Sequence, residues 1–229
     1  MDWTISRENA KLWDLAYALG AFMGDGFRGY SDYGNGAWFS SGIACMDKEI
    51  VDRFADQIAT IFNRRYTVMP YTLKTGTTMY KCIATAREVY EAFVFSTMWK
   101  TQVPEAFVNC PKEVLREFIA GLFDTDGTIN EAQALNGSKT GYNPRWQLGF
   151  GGTERRVVED VAALLQRSDV QVGKIGEYTK AQYRTVFTIH PNLRSFVDAG
   201  FYFRCERKAE RVKKYLGIAS ETLYTGASA

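Results

Sequence analysis

The hydrophobic and polar positions of this chain contain one pattern twice: an apolar run with small residues at its centre that ends in Asp-Gly. The two copies are residues 18–26 and 119–127. Because an internal repeat constrains the architecture of the whole chain, it is interpreted first. The repeat predicts two similar halves, in each of which an apolar helix ends at a carboxylate, Asp25 in the first half and Asp126 in the second.

The hydrophobic pattern around each copy follows one order, which is helix, two strands, helix, two strands, helix. In the first half the predicted elements are a helix at 6–25, strands at 27–33 and 37–45, a helix at 46–63, strands at 66–74 and 77–85, and a short helix at 86–97. Turn residues at 72–78 and 179–182 predict a hairpin in each half. A closing helix is expected at 205–216.

The repeat continues beyond the Asp-Gly turn into the strands and the next helix. Residues 38–54 align without a gap with residues 146–162, which places Trp38 opposite Trp146. Further along, residues 80–85 match residues 183–188. These matches support a duplicated α+β unit.

The junction between the halves, residues 103–111, is short and partly apolar, so we expect the halves to pack as one body. Pro111 suits the first position of the following helix. The expected boundaries are a first half at 1–108, a second half at 109–216 and a C-terminal tail at 217–229.

Small residues on the two apolar helices predict a close contact between them. Gly20 and Gly24 share a face of the first helix, and Gly121 and Thr125 share a face of the second, because residues four apart lie on the same side. We also expect the glycines that follow the acids, at positions 26 and 127, to end the helices in the left-handed conformation.

The position of the two acids is electrostatically unfavourable, because the C-terminus of a helix is its negative end. A divalent cation bound between them would reverse the sign of that interaction. Asp25 and Asp126 therefore indicate a metal site where the two helices converge.

Composition limits the function classes. The chain has 229 residues, a formal charge of +2 and an isoelectric point near 8.3, which permits nucleic-acid binding without requiring it. No apolar run approaches the roughly 18 residues of a membrane span, and the N-terminus lacks a signal-peptide pattern. We therefore expect an intracellular protein of the cytoplasm, nucleoid or an organelle matrix that is not secreted.

Cysteine and histidine usage argues against zinc. Cys45, Cys82, Cys110 and Cys205 are scattered and form no C-x-x-C pair, and His190 is the single histidine. We expect buried, reduced thiols and a histidine with a structural or surface role.

The two blocks, together with the approach to the second block at 103–113, resemble the LAGLIDADG homing endonucleases in their single-chain, two-motif form. The resemblance covers roughly residues 6–216. The first motif departs from the family pattern at Ala21 and Met23, although its acid is intact. Intein splicing motifs are absent, so the chain resembles a free-standing or intron-encoded nuclease.

The resemblance implies two pseudo-symmetric αββαββα halves, with the motif helices at the central interface and a saddle of antiparallel strands in the DNA major groove. It implies a monomer that cuts both strands of a long, asymmetric DNA site. Asp25 and Asp126, with Gly24 and Thr125 beside them, would bind Mg²⁺ at the scissile phosphates. Mn²⁺ or Ca²⁺ would substitute for binding.

The resemblance also implies a basic residue after the last strand and short helix of each half. Lys100 matches in the first half. In the second half, ungapped alignment favours Arg204, whereas a small insertion favours Lys208.

Candidate DNA contacts lie on the strands and at their hairpin tips: Arg28, Tyr30, Lys74, Lys81, Arg145, Lys180 and Arg184. An insertion at 136–143 is expected to cover the flank of the DNA.

Two other functions remain open from the sequence. Residues 123–129 resemble the first motif of haloacid dehalogenase-type phosphatases, with Asp124 as nucleophile and Asp126 as acid. That motif should follow a buried strand, whereas here it follows a helix, and the other copy has Met23 at the nucleophile position. The second alternative is a catalytically silent nucleic-acid-binding protein, such as a maturase or regulator, which would need no acids.

Overall fold

The computed structural model describes residues 7–32, 37–132, 145–180 and 184–217. The elements of the first half are α1 (Arg7–Asp14), α2 (Ala16–Asp25), β1 (Gly26–Asp32), β2 (Ala37–Cys45), α3 (Lys48–Phe62), β3 (Val68–Thr72), β4 (Thr78–Ala84) and α4 (Arg87–Val94). A short 3₁₀ helix at Glu105–Phe107 leads to α5 (Lys112–Thr125), β5 (Gly127–Ala132), β6 (Arg145–Gly152), α6 (Arg155–Arg167), β7 (Gly176–Lys180), β8 (Arg184–Ile189), α7 (Leu193–Asp198) and α8 (Glu206–Leu216). No helix in the described part of the chain is both long and apolar enough to cross a membrane.

Each half contains a four-stranded antiparallel sheet, in the orders β1-β2-β4-β3 and β5-β6-β8-β7. The predicted α+β fold class is therefore confirmed. The first hairpin turn, between β3 and β4, places Gly76 at a φ of 84°, where a glycine is favoured. The turn predicted at 179–182 lies partly outside the described residues.

The helix predicted at 6–25 is two helices, because the chain turns at Leu15. The helix α1 packs against the 3₁₀ helix, where the indole of Trp13 donates a hydrogen bond of 2.8 Å to the carbonyl of Ala106. By contrast, α2 is buried from Ala16 to Met23. The change from a partly exposed helix to a buried one coincides with the break.

The strand pairing corrects the alignment of the two halves. Gly26 pairs with Ile43 in the first half, and Gly127 pairs with Phe150 in the second. Ile43 and Phe150 are therefore equivalent, and the predicted match of the two tryptophans is wrong by one residue. Because a one-residue shift moves every side chain to the other face of a sheet, this error changes which residues face outwards.

The match of residues 80–85 with 183–188 is also wrong. Ile43 pairs with Cys82, and the equivalent Phe150 pairs with Ile189, so Cys82 is equivalent to Ile189. Lys81 consequently corresponds to Thr188 and not to Arg184.

The core of each half contains aromatic rings from its motif helix. In the first half, Phe22 of α2 contacts Phe93, with ring centroids 5.1 Å apart. In the second half, Phe123 of α5 contacts Phe150 at 5.3 Å and Phe196 at 5.2 Å. These contacts fix each motif helix against its own sheet and short helix.

The helices α2 and α5 pack backbone against backbone. A Cβ atom at Gly20 would overlap the carbonyl oxygen of Phe118 and lie 2.8 Å from the amide nitrogen of Leu122. Reciprocally, a Cβ atom at Gly121 would overlap the carbonyl of Tyr17 and lie 2.8 Å from the nitrogen of Ala21. Each helix thus contacts the other through equivalent residues, as expected when the two halves are related by a pseudo-two-fold axis.

The glycines at 26 and 127 do not adopt the predicted left-handed conformation. Gly26 is extended, with φ −72° and ψ 147°, and Gly127 is not among the described glycines of positive φ. Both are required for a different reason, because a Cβ atom would overlap the carbonyl oxygen of Phe22 or Phe123 in the preceding helical turn. Pro111 is likewise the residue before α5 and not its first helical residue.

Candidate active site at the ends of the paired helices

The two repeated acids lie where α2 and α5 end. Asp25 is the last residue of α2, and Asp126 caps the C-terminus of α5. A Cβ atom at Gly24 would lie 3.2 Å from Cγ of Asp126 and against the side chain of Thr125. The structure therefore brings together all four residues of the predicted metal site, and the acids come from different halves.

Burial and charge shift the pKa values of both carboxyl groups, and no hydrogen bond from a described residue contributes. Burial and, after it, the neighbouring charge of Asp25 raise the pKa of Asp126 to about 6, against the opposing charges of Lys100 and Lys208. Burial also raises the pKa of Asp25, and both lysines oppose that shift. The two carboxylates repel each other, and a cation bound between them would reduce that repulsion.

The donor atoms of this cluster suit a hard divalent cation. Among the described residues, no three or more His, Cys, Asp and Glu side chains converge on one point. A cation at the acid pair would thus take two carboxylates from the chain and its other ligands from backbone carbonyls, water or phosphate. Mg²⁺ favours this kind of oxygen coordination.

Two lysines flank the acids in equivalent positions. The ammonium group of Lys100 donates hydrogen bonds to the carbonyls of Gly24 and Gly26, the latter at 3.2 Å. That of Lys208 donates to the equivalent carbonyls of Thr125 and Gly127, at 3.3 and 2.6 Å.

Lys208 makes two further hydrogen bonds that have no counterpart at Lys100. Its ammonium group donates to the carbonyls of Phe123 and Asp124, at 2.8 and 2.6 Å. Burial lowers the pKa of both lysines, and in each case acids oppose the shift. Both lysines bring positive charge to the C-terminal ends of the motif helices, where a cation is favoured.

Of the two basic residues proposed for the second half, the structure brings Lys208 to the acids and places Arg204 elsewhere. The guanidinium of Arg204 forms an ion pair with Glu117 and contacts Tyr202. The ungapped alignment favoured Arg204 because it did not include the extra residues that precede α8.

The backbone that carries each lysine differs between the halves. Met98, Trp99 and Lys100 have φ values of 43°, 54° and 66°, which is a left-handed turn of three non-glycine residues. Such a conformation costs roughly 1–2 kcal/mol per residue. Lys208, by contrast, lies in the first turn of α8.

Asp124 has a structural role that sequence reasoning did not predict. Its buried carboxylate accepts hydrogen bonds from the hydroxyl of Tyr17 at 2.9 Å and from the amides of Arg204 and Cys205 at 3.2 and 3.0 Å. These bonds hold the chain at the start of α8, which carries Lys208. The sequence feature that could have indicated this role is the difference between the two motif copies, since Asp124 stands where the first copy has Met23.

The same contacts argue against the phosphatase alternative. Asp124 is 1% exposed, and its carboxylate already accepts three hydrogen bonds. It also follows the helix α5 and not a buried strand. A nucleophile needs access to its substrate, which this carboxylate lacks.

A cleft of about 490 Å³ opens at Asp126 and is lined by residues of both halves. Asp126 and Lys100 line it together with Trp99 and the segment at 150–154. The acid of one half and the lysine of the other therefore face one open space.

Two of the predicted DNA contacts in the first half lie on the helix side of their sheet, and both are exposed. Arg28 pairs with the buried Ser41, and Tyr30 pairs with Phe39, so both lie on the helix side of the sheet. The guanidinium of Arg28 lies 4.0 Å from the centroid of Trp99. Tyr30 packs on Phe39 with centroids 5.3 Å apart.

The other predicted contacts are placed differently. Lys81 lies on the outer side of its sheet, and Lys74 is exposed in the hairpin turn. In the second half, Arg184, Lys180 and Arg145 occupy outer-face positions in the strand register. The side chains of Lys180 and Arg145, the insertion at 136–143 and the tail at 218–229 lie outside the description.

The single histidine and the four cysteines are not among the residues that line the cleft at Asp126. His190 is exposed beside Gly149, where a Cβ atom would lie 3.4 Å from Nδ1 of the imidazole. All four cysteines are free thiols; three are buried, and Cys110 is partly exposed.

Comparison with known proteins gives a family match in the second half and a fold match over most of the chain. Residues 113–198 match the model of the LAGLIDADG-like domain. No curated protein matches the sequence at a significant level.

Among solved structures, mesophilic variants of the homing endonuclease I-DmoI match at 16% identity with a TM-score of 0.60, covering 89% of this chain and 98% of that one. The I-LtrWI LAGLIDADG homing endonuclease bound to target DNA matches at 8% identity and a TM-score of 0.56, covering 90% and 88%. The meganuclease I-SmaMI bound to uncleaveable DNA matches at 9% identity with a TM-score of 0.53, covering 88% of this chain and 87% of that one. Other I-DmoI structures contain DNA with Mn or with Ca.

Proposed function

We propose that this chain, which carries a LAGLIDADG-like domain in its second half and the fold of the LAGLIDADG homing endonucleases throughout, is a site-specific DNA endonuclease. It cuts both strands of a long, asymmetric DNA site with a divalent cation, which we take to be Mg²⁺. The observation that carries the proposal is the side-by-side position of Asp25 and Asp126, each with a lysine on its own helix end.

The acids would hold the cation. The carboxylates of Asp25 and Asp126 would be its charged ligands. The carbonyls of Gly24 and Thr125, next to them, accept hydrogen bonds from Lys100 and Lys208. A bound divalent cation would neutralise charge on the scissile phosphate and favour the ionisation of an attacking water. In the reaction, water adds to phosphorus, one P–O ester bond breaks, and the leaving oxygen takes a proton.

The lysines would supply fixed positive charge where negative charge develops on phosphate, a role that is strongest in a buried site. Lys100 uses two of its three N–H groups on carbonyls, which leaves one for water or phosphate. Lys208 contacts four carbonyls. Its role is therefore to keep charge at the helix end and to hold that end in shape.

One copy of the chain is sufficient for this activity. The two halves, which we place at 1–108 and 109–216, supply one acid and one lysine each, and the strands of both sheets would follow the DNA. We therefore propose a monomer whose partner is double-stranded DNA. Affinity should fall steeply with salt, because phosphate contacts release counterions.

The alternative of a silent nucleic-acid-binding protein shares the fold and needs neither acid. It gives no reason for two half-buried, mutually repelling carboxylates at helix C-termini, which destabilise the fold when no cation is bound. The alternative remains the outcome to expect if DNA binds and is never cut.

The test is a cleavage selection from a random DNA pool with Mg²⁺, followed by assays on the selected site. Asp25→Asn and Asp126→Asn should bind the site normally and produce no double-strand break. Asp52→Asn is the matched control, because Asp52 is an exposed acid paired with Lys48. Full cutting by both site variants would overturn the proposal, and strong binding without cutting by the unaltered chain would favour the silent alternative.

A further inference from the structure

The two sheets differ in the chemistry of their outer faces, which are the faces turned away from the helices. The strand register assigns the outer face, because residues that pair directly across strands point to one side. In the first half, Ile43 and Cys82 pair and are buried beneath the helices. Their sequence neighbours Gly42 and Ile83 therefore lie on the outer face.

Two aromatic rings cover glycines on this outer face. Phe27 pairs with Gly42, and a Cβ atom at Gly42 would lie 3.1 Å from Cζ of Phe27. Trp38 lies beside Gly29 of the neighbouring strand, where a Cβ atom would be 3.3 Å from its ring. Trp38 is nevertheless 47% exposed. The rings therefore lie along the sheet and present apolar surface outwards.

Aliphatic side chains continue this surface. Ile83 pairs with Gly42 on the side opposite to Phe27. Met69 pairs with Lys81 and is 39% exposed, and Met79 lies on the same face, two residues before Lys81 in β4. Among the described strand residues of this face, Lys81 is the one that carries a charge. We call the following residues the apolar outer face: Phe27, Trp38, Met69, Met79 and Ile83.

The equivalent positions of the second half are mostly polar. The corrected register makes Thr128 equivalent to Phe27, Arg145 to Trp38, His190 to Ile83, Gly176 to Met69 and Val186 to Met79. Two further outer-face positions, Asn130 and Gln147, are equivalent to Gly29 and Ser40. Of these, Thr128, Asn130, Gln147 and His190 are exposed. The second sheet thus offers hydrogen-bonding groups where the first offers rings and a branched alkyl group.

We propose that the two halves read their halves of the DNA site by different chemistry, the first by apolar contact with thymine methyl groups and the second by hydrogen bonds to base edges. This inference rests on the proposed endonuclease function. The thymine C5-methyl is the apolar group of the major groove, whereas the other base edges present donors and acceptors. Covering those polar edges with Phe27, Trp38 or Ile83 would leave them unsatisfied, which is costly.

The position of the apolar outer face identifies DNA as its occupant. Phe27 is the second residue after Asp25, so the face begins next to the acid pair on the same chain segment. Lys74 and Lys81 supply positive charge for phosphates beyond it. Self-association through this face is the competing occupant and is an outcome of the test.

The experiment begins with selection of bound sites from a random DNA pool in Ca²⁺, so that binding is measured apart from cleavage. We expect one half of the selected site to contain defined thymines. Replacing each of these by deoxyuridine, which removes only the methyl group, should weaken binding about fourfold per methyl, from the transfer free energy of a buried carbon. The same replacement in the other half of the site should change binding by less than about 1.5-fold.

Variants connect the effect to the chain. In Phe27→Thr and Ile83→Thr the deoxyuridine penalty should disappear at one thymine each, because the methyl then has no apolar partner. Val186→Thr, at an outer-face position of the second half, is the matched control and should retain the full penalty. Thermal unfolding checks that each variant is folded.

Three results would overturn the inference. One is a selected site with equal deoxyuridine penalties in both halves or with none. The second is a penalty that persists in both variants. The third is a dimer in sedimentation that Phe27→Thr dissociates without any change in DNA affinity. A pool that yields no bound site would overturn the endonuclease proposal as well, which distinguishes the two failures.

Discussion

Lys208 is the structural counterpart of Lys100, since each ammonium group binds carbonyls at the same two positions of its own motif helix end. The two lysines arrive there on different backbones, one in a left-handed turn and the other in a helix. The equivalence therefore lies in the position of the charge and not in the local conformation.

Replacing Lys208 should impair cleavage far more than replacing Arg204. Loss of a fixed positive charge at a reacting phosphate costs about 10²–10³-fold in rate. We expect Lys208→Met to reduce linear product by about 100-fold in a plasmid cleavage assay, with nicked circles accumulating. Arg204→Met is the comparison, and equal losses in both variants would contradict the assignment.

Asp126→Asn should stabilise the metal-free protein at neutral and alkaline pH. The pKa of Asp126 is raised from 3.8 to about 6 in the folded state. The folded state therefore binds more protons than the unfolded state between those values, and stability falls as pH rises through that window.

Above pH 6 the unaltered protein has lost at most about 3 kcal/mol of its free energy of unfolding in this way. The asparagine variant has no ionisable group at this position and does not lose it. Urea unfolding at pH 8 and at pH 3.5, with a chelator present, measures it. The variant should be the more stable protein at pH 8, and the difference should shrink towards zero at pH 3.5. A variant less stable than the original at pH 8 would contradict the role of burial and charge at this acid.

Metal-dependent cleavage should weaken in acid, because protons and the cation compete for the same carboxylates. With the pKa of Asp126 near 6, the Mg²⁺ concentration for half-maximal rate should rise about tenfold for each pH unit below 6. Cleavage rates over a Mg²⁺ titration at pH 5, 6, 7 and 8 test this. A half-maximal concentration that stays constant across these pH values would refute it.

Gly121→Ala should be strongly destabilising, by about 3 kcal/mol or more, because the added Cβ overlaps backbone that cannot move without separating the helices. Gly152→Ala is the matched control, since a Cβ atom there has Val158 at 3.9 Å as its nearest neighbour. Chemical unfolding of both variants gives the comparison. Similar stabilities would mean that the helix contact is looser than the geometry indicates.

The internal repeat made the acid pair and the helix pair predictable. Asp25 and Asp126 occupy one position in two copies of a motif, and the small residues around Gly20 and Gly121 indicated a close contact. Such features depend on local sequence and on one symmetry relation, so they needed no knowledge of strand register.

The outer face of the first sheet was not predictable, because alternation shows that strand residues divide into two sets without showing which set is buried. In β1, Arg28 lies on the helix side because Trp99 of a later loop stacks on it. Phe27 lies outward because Gly42 leaves room for its ring. Both reasons depend on residues distant in the sequence.

The second lysine was undetermined for a similar reason. The two halves differ in length before the final basic residue, so sequence alignment alone left Arg204 and Lys208 in competition. The carbonyls of Thr125 and Gly127 decide the question, and only the folded chain brings them to an ammonium group.

The reciprocal contact of Gly20 and Gly121 has a consequence for protein engineering. Because main-chain atoms form this seam, rotamer changes cannot absorb a mismatch there. A chimera that grafts one half onto a half from another nuclease should fold only when the incoming helix carries glycine at the same depth. Whether a transplanted DNA-binding half can fold with its new partner therefore depends on Gly20 and Gly121, which lie in the helix interface and not on the sheets.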